Sequence, residues 1–154
     1  RALAGYGWTP SAFTITEADP NVTFAANTAN VAGDVYTYVN PDDQYLVLNT
    51  GEVVFGLLQD AAGPTEIDDT STILIEARDA SNITRKTVAN LTYQQITEVR
   101  DINSLYKLRG KTILEPRQQL VWVITADLVI ATAQSNISMS AVRVNRALNL
   151  VAAL

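Results

Sequence analysis

The sequence predicts an all-β protein, a β-sandwich of about eight strands with one short helix. Two observations carry this prediction. Thr, Val and Ile account for 17, 15 and 11 of the 154 residues, and these side chains suit a pleated, half-buried surface. Short apolar runs are also separated by turn residues at intervals of roughly 8–12 residues, a spacing typical of sandwiches and barrels.

The apolar runs place the strands in order along the chain. Alternation is clearest over residues 71–78, where Ile73, Ile75 and Ala77 share one face. Gly and Pro mark turns between the runs, as at residues 49–51 and 62–64. The predicted strands cover residues 13–15, 22–24, 35–39, 45–48, 53–58, 71–78, 85–91, 105–108, 112–114, 120–126, 128–131 and 136–145.

One segment changes to a helical period. Thr92 and Gln95 form the capping-box pattern Thr-x-x-Gln, which stabilises the first turn of a helix. Apolar residues then recur every three positions, at Tyr93, Ile96, Val99, Ile102 and Leu105. The pattern predicts a short helix over about residues 93–101, crossing between the two sheets.

Two later segments have unusual apolar patterns. Residues 120–126 are apolar on both faces, which predicts a strand at the centre of the fold or a strand with one face in a subunit contact. In residues 136–145 the apolar set changes face between Ala141 and Val142. This change predicts a bulge, or a strand that leaves one sheet for another contact.

The length predicts a single β-sandwich domain over residues 1–154. Residues 1–12 are predicted to be an N-terminal arm, and residues 147–154 an apolar C-terminal tail that packs on its own domain or on a neighbour. No apolar run reaches the roughly 18 residues of a membrane span, so no membrane-spanning segment is expected.

Two absences in the composition exclude many reactions. The chain has no His and no Cys, which removes imidazole bases, catalytic triads, thiolate nucleophiles and His- or Cys-ligated metals. The paired acids at Asp42/Asp43 and Asp68/Asp69 lie in predicted loops, where solvated turns explain them. We therefore expect no enzymatic activity and no cofactor.

The net charge of −5 conceals an uneven distribution. Residues 1–76 carry eleven acids and one base, and residues 77–154 carry five acids and ten bases, so the halves are −10 and +5. Either the halves neutralise each other within one domain, or an acidic and a basic face meet between subunits. Nucleic acid is not expected as a partner, because the chain has three Lys, no basic run and a low pI.

A carbohydrate-binding sandwich is the alternative function. Tyr6, Trp8, Tyr36, Tyr38 and Tyr45 are candidates for an aromatic platform on which a sugar would stack. The carboxylates of Glu66, Asp68 and Asp69 lie on one loop and are candidate ligands for a structural calcium ion, although their spacing matches no EF-hand.

The segment from Leu105 to Arg146 resembles single jelly-roll structural proteins of viruses. It contains the runs Lys-Leu-Arg-Gly-Lys-Thr-Ile-Leu-Glu-Pro at 107–116, Leu-Val-Trp-Val-Ile at 120–124 and Ser-Met-Ser-Ala-Val-Arg-Val at 138–144. The resemblance implies a jelly roll whose final strand points towards neighbours. It also implies a capsid or capsid-decorating subunit of a virion, associating with itself and with other shell proteins.

Together these expectations describe an assembly protein that associates through sandwich faces and terminal arms, with the acidic and basic halves setting orientation. The expected contact residues are large apolar or basic side chains near the two termini. They are Tyr6, Trp8, Arg143, Arg146, Leu148, Leu150 and Leu154.

Overall fold

The computed structural model describes residues 8–48, 52–59, 62–103, 106–107 and 112–146. These residues form thirteen strands and one helix. The elements are β1 (Trp8–Ile15), β2 (Val22–Phe24), β3 (Gly33–Val39), β4 (Gln44–Val47), β5 (Glu52–Gly56), β6 (Leu58–Gln59), β7 (Thr65–Glu66), β8 (Thr72–Arg78), β9 (Thr84–Thr92), α1 (Tyr93–Asn103), β10 (Tyr106–Lys107), β11 (Ile113–Leu114), β12 (Gln119–Thr125) and β13 (Asn136–Arg146).

The first sheet is built around the long strand β13. Strand β1 pairs along one edge of β13, from Trp8 opposite Arg146 to Ile15 opposite Met139. Strands β5 and β4 both pair antiparallel with the other edge, β5 with residues 136–139 and β4 with residues 142–145. Strands β10 and β11 pair in the same way with β5 and β4. The sheet thus has four strand positions, two of which are filled by interrupted strands.

The second sheet has the strand order β2-β3-β12-β8-β9, and every neighbouring pair is antiparallel. Strand β12 lies in the middle, as its two apolar faces predicted. A separate pair of strands, β6 and β7, connects β5 to β8.

The strand positions follow jelly-roll connectivity. We count β4/β5 and β10/β11 as one position each and leave out the short edge strand β2 and the separate pair β6/β7. The first sheet then contains the first, eighth, third and sixth positions in chain order, and the second sheet contains the second, seventh, fourth and fifth. Two interlocked Greek keys of eight strands produce this arrangement. The prediction of a jelly-roll-like sandwich with one short helix is confirmed.

The core lies between the inward faces of the two sheets. Trp122 of β12 is fully buried and contacts Tyr36 of its own sheet, with ring centroids 6.4 Å apart. Phe55 of the opposite sheet lies at the same centroid distance of 6.4 Å from Trp122. Aromatic pairs in such tilted and edge-on arrangements add stability beyond the area that they bury.

Helix α1 begins at the predicted capping box. The Thr92 backbone N–H donates to Gln95 Oε1 at 2.9 Å, and the Gln95 backbone N–H donates to Thr92 Oγ1 at 3.3 Å. Tyr93 and Ile96 are fully buried, so the helix packs its apolar face on the core while it carries the chain from β9 to β10. The predicted helix and its position between the sheets are confirmed.

A buried hydrogen-bond network holds the chain where it passes from β3 to β4. The Asn40 side-chain amide donates to the carbonyl oxygens of Gln44, Leu114 and Glu115 at 2.9, 3.1 and 3.1 Å. Gln44 Nε2 in turn donates to Asn40 Oδ1 and to the Tyr38 hydroxyl, both at 2.8 Å. The network therefore ties β4 to β11 and fixes the register of this end of the first sheet.

The structure differs from three predictions. Strand β1 begins at Trp8, inside the segment 1–12 that was predicted to be an arm, because residues 8–12 hydrogen-bond to β13 in unbroken register. Residues 128–131 form no strand and make one isolated bridge, between Gln59 and Ile130. The bulge predicted at residues 141–142 of β13 is absent from its pairing with β1. Instead, the opposite edge of β13 changes partner there, from β5 to β4.

Candidate assembly surface

At the end of the first sheet that contains β4 and β11, the outward face is apolar across all four strand positions. Ala12 of β1 lies opposite Val142 of β13, Val142 lies opposite Val47 of β4, and Val47 lies opposite Ile113 of β11. A second row runs beside the first, from Pro10 through Val144 to Tyr45. We refer to these seven residues as the apolar face: Pro10, Ala12, Tyr45, Val47, Ile113, Val142 and Val144.

The apolar face is accessible to solvent. Ile113 is 50% exposed and Val142 is 44% exposed. Among the side chains described on β1, β4, β11 and β13, none that points outward carries a charge. An antiparallel sheet with one solvated face normally alternates apolar and polar residues. A contiguous exposed apolar surface is instead typical of an interaction site.

The outward face of the second sheet has the opposite character. The guanidinium of Arg78 donates to both carboxylate oxygens of Asp34, at 2.8 and 3.1 Å, and to Glu76 Oε1 at 3.1 Å. The Thr84 hydroxyl donates to the other oxygen of Glu76 at 2.7 Å. Val121 of β12 is fully buried on this outward side. These four polar side chains therefore satisfy one another, and we do not assign an interface to this face.

The two charged halves of the sequence neutralise each other at defined places. Ion pairs that join the halves include Arg78 with Asp34 at 2.8 Å, Arg78 with Glu76 at 3.1 Å and Arg117 with Asp42 at 3.1 Å. Strands from both halves also alternate within each sheet. The division at residue 76 therefore does not separate an acidic face from a basic face, because jelly-roll connectivity interleaves the halves.

The structure places three of the predicted contact residues on β1 and β13. Trp8 and Arg146 are directly opposite each other at one end of the strand pair. Arg143 points inward: its guanidinium carbon lies 4.9 Å from the centroid of the Phe13 ring, and its Nε lies 3.5 Å from Ser11 Oγ. Its contacts here are within the domain, and an interface role for it stays a prediction. The remaining predicted contacts fall outside the described residues: Tyr6, Leu148, Leu150 and Leu154.

Most of the apolar face was not identified from the sequence. Val142 and Val144 gave the available signal, since the apolar set of β13 changes face there. Val47 and Ile113 belong to short strands of four and two residues, which are too short for a periodic pattern to distinguish an inward from an outward side.

The aromatic platform considered for a sugar does not form from the tyrosines of β3. Tyr36 and Tyr38 share one face of β3, as predicted, but both are fully buried in the core. Burial raises the pKa of the Tyr38 hydroxyl to about 12. Tyr45 alone of the three lies on an outward face, so a platform that includes Tyr36 and Tyr38 is wrong.

The carboxylates considered as calcium ligands do not converge. Within the described ranges, no three Asp or Glu side chains come together in a way that could hold a metal ion. Glu66 Oε1 instead accepts a hydrogen bond from the Tyr93 hydroxyl at 3.1 Å. The Glu66 carboxylate thus contacts the first residue of α1. In the described part of the chain, no helix has the length and apolar character that crossing a bilayer requires.

Comparison with known proteins connects the fold to virus shells. No protein-family model and no curated protein sequence matches this chain. Among solved structures, the chain is similar to VP17, a capsid protein of bacteriophage P23-77, with a TM-score of 0.56 and 8% sequence identity over 90% of this chain and 97% of that one.

The chain is also similar to the VP16–VP17 complex, formed by the two major capsid proteins of the same phage. The TM-score is 0.57, with 9% identity over 89% of this chain and 98% of that one. The resemblance to jelly-roll viral proteins that the sequence suggested is therefore confirmed at the level of the fold, which this chain shares with phage capsid proteins along almost its whole length.

Proposed function

We propose that this chain is a non-enzymatic structural subunit of a virus particle, a capsid or capsid-decorating protein that associates with itself and with other shell proteins. The observation that carries the proposal is the uncharged apolar face on a jelly roll similar in fold to capsid proteins of bacteriophage P23-77. The similarity of the chain to a complex of two major capsid proteins supports association with other shell proteins.

The mechanism of such a subunit is burial of apolar surface between copies. Burying apolar area contributes about 25 cal/mol per Å² and has no directional requirement. Because none of the seven residues of the apolar face is charged, burying these side chains costs no desolvation of ions. The ion pairs on the second sheet are already satisfied within the domain, so they offer little to a partner.

Light scattering after size-exclusion chromatography tests the proposal on the purified chain. We expect the mass to rise above the monomer value of 16.7 kDa as the concentration increases from roughly 1 μM to 1 mM. Association through an uncharged apolar surface should stay unchanged or become stronger as sodium chloride is raised from about 0.05 to 1 M. Association through exposed charges would instead weaken over this range, because salt screens the Coulombic attraction. A monomer at every concentration would contradict self-assembly.

A matched pair of variants identifies the surface. Val142→Glu places a carboxylate within the apolar face, and Val39→Glu places one on the outward side of the second sheet. The two valines are 44% and 41% exposed, so the substitutions are closely comparable. We expect Val142→Glu to raise the dissociation constant of self-association at least tenfold and Val39→Glu to change it less than threefold. Equal effects of the two variants would exclude the apolar face as the contact.

A further inference from the structure

The apolar face is exposed to solvent, and one segment of this chain is itself apolar and uncharged. We propose that residues 147–154 of a second copy dock on the apolar face. This inference rests on the proposed self-assembly and names the element that makes the contact. The segment reads Ala-Leu-Asn-Leu-Val-Ala-Ala-Leu and contains no charged side chain. An uncharged apolar segment and an uncharged apolar surface can bury each other without leaving an ion unpaired.

The position at which the segment begins allows this contact. Strand β13 ends at Arg146, two residues beyond Val144, which belongs to the apolar face. Eight further residues span at most about 26–29 Å when extended. The four strand positions of the first sheet are about 4.8 Å apart, so the segment is long enough to cross the face completely.

The residue types in the segment favour a neighbouring copy over the same copy. To cover its own face, the chain would have to reverse direction directly after Arg146. Reversals are made by Gly, Pro, Asn, Asp and Ser. The segment has neither Gly nor Pro, and its only residue of this kind is Asn149. Asn149 lies three positions beyond Arg146 and has no Gly or Pro beside it, so we expect no reversal directly after Arg146 and infer that the segment extends towards another subunit.

Cysteine cross-linking tests the contact, because the natural chain contains no cysteine. Four single-cysteine variants are prepared in the full chain: Val142→Cys on the apolar face, and Leu148→Cys, Leu150→Cys and Leu154→Cys on the segment. The Val142→Cys variant is mixed with each segment variant in the presence of oxidised glutathione. A disulfide needs Cα atoms within about 7 Å, so a product reports direct contact.

We expect a disulfide-linked dimer of one Val142→Cys chain and one segment-variant chain in at least one mixture, identified by mass spectrometry. Val39→Cys, mixed in the same way, is the matched control and should give no such product. Removal of residues 147–154 should raise the dissociation constant at least tenfold. Adding Val142→Glu to the truncated chain should weaken association by less than a further threefold, since the truncation and the substitution remove the same contact.

Other products would overturn the inference in distinguishable ways. If Val142→Cys chains link only to one another, the apolar faces of two copies pack directly and the segment is not the cover. If a Val142→Cys/Leu150→Cys double variant links within one chain while the mixtures give nothing, the segment covers its own domain. In both cases light scattering still shows self-association, so the proposed function stands. A monomer at all concentrations would instead contradict the proposed self-assembly itself.

Discussion

Replacing Asn40 by Ala tests how the end of the first sheet is held together. The Asn40 amide has two hydrogens and three carbonyl acceptors within 3.1 Å, and its Oδ1 accepts from Gln44. Asn40 is 1% exposed, so water cannot replace these partners. Two donated bonds and one accepted bond, at about 1 kcal/mol each, predict a loss of about 3 kcal/mol in the free energy of unfolding.

Urea unfolding at 25 °C, followed by circular dichroism, measures this loss. For a chain of 154 residues, a destabilisation of about 3 kcal/mol lowers the Tm by roughly 6–12 °C. Asn90→Ala is the control, because Asn90 lies exposed on β9, and it should change stability by less than about 0.5 kcal/mol. Asn40→Asp should cost at least as much as Asn40→Ala, since a carboxylate cannot donate to the carbonyls.

Two results would refute the reasoning. If Asn40→Ala costs less than about 1 kcal/mol, water or a shifted backbone satisfies the carbonyls and the network is dispensable. If Asn40→Ala and Asn90→Ala are equally destabilising, the loss arises from a general effect of the substitution. The network also supports the apolar face. Asn40 donates to the carbonyl oxygen of Gln44, the first residue of β4, and β4 carries two residues of that face.

Three further outcomes are expected. Arg78→Met should cost about 2–3 kcal/mol in urea unfolding, because it removes the guanidinium that Asp34 and Glu76 share. Arg117→Met should cost less than about 1 kcal/mol, because the ion pair of Arg117 is largely exposed. Burial raises the pKa of the Tyr38 hydroxyl from 10.0 to about 12. The contribution of this neutral hydroxyl to stability is therefore complete below pH 10 and is lost as the pH rises to about 12. In urea titrations, a Tyr38→Phe variant should lose less stability than the natural chain over this pH range. Thr92→Ala should cost about 1 kcal/mol in thermal unfolding through loss of the capping box, and the exposed Thr87→Ala much less.

Local patterns in the sequence were sufficient for most of the elements, although residues 128–131 form no strand and β1 begins at Trp8. The content of β-branched residues predicted the sheets, and the capping box at Thr92 predicted the start of α1 to the residue. The two apolar faces of residues 120–126 predicted a strand that is central or has one face in a subunit contact, and β12 is central in its sheet. These features depend on spacings of two to four residues along the chain, which are visible without knowledge of the partners.

The apolar face was determined only by the tertiary structure. Ala12, Val47, Ile113 and Val142 are distant in the sequence, and they become neighbours because jelly-roll pairing brings four strands into one register. A shift of one residue in any pair would turn that strand's apolar side chains to the opposite side of the sheet. Register and connectivity are set by contacts between remote segments. For this reason the sequence by itself determined an all-β sandwich without cysteine or histidine, while the tertiary structure decided which outward surface is apolar.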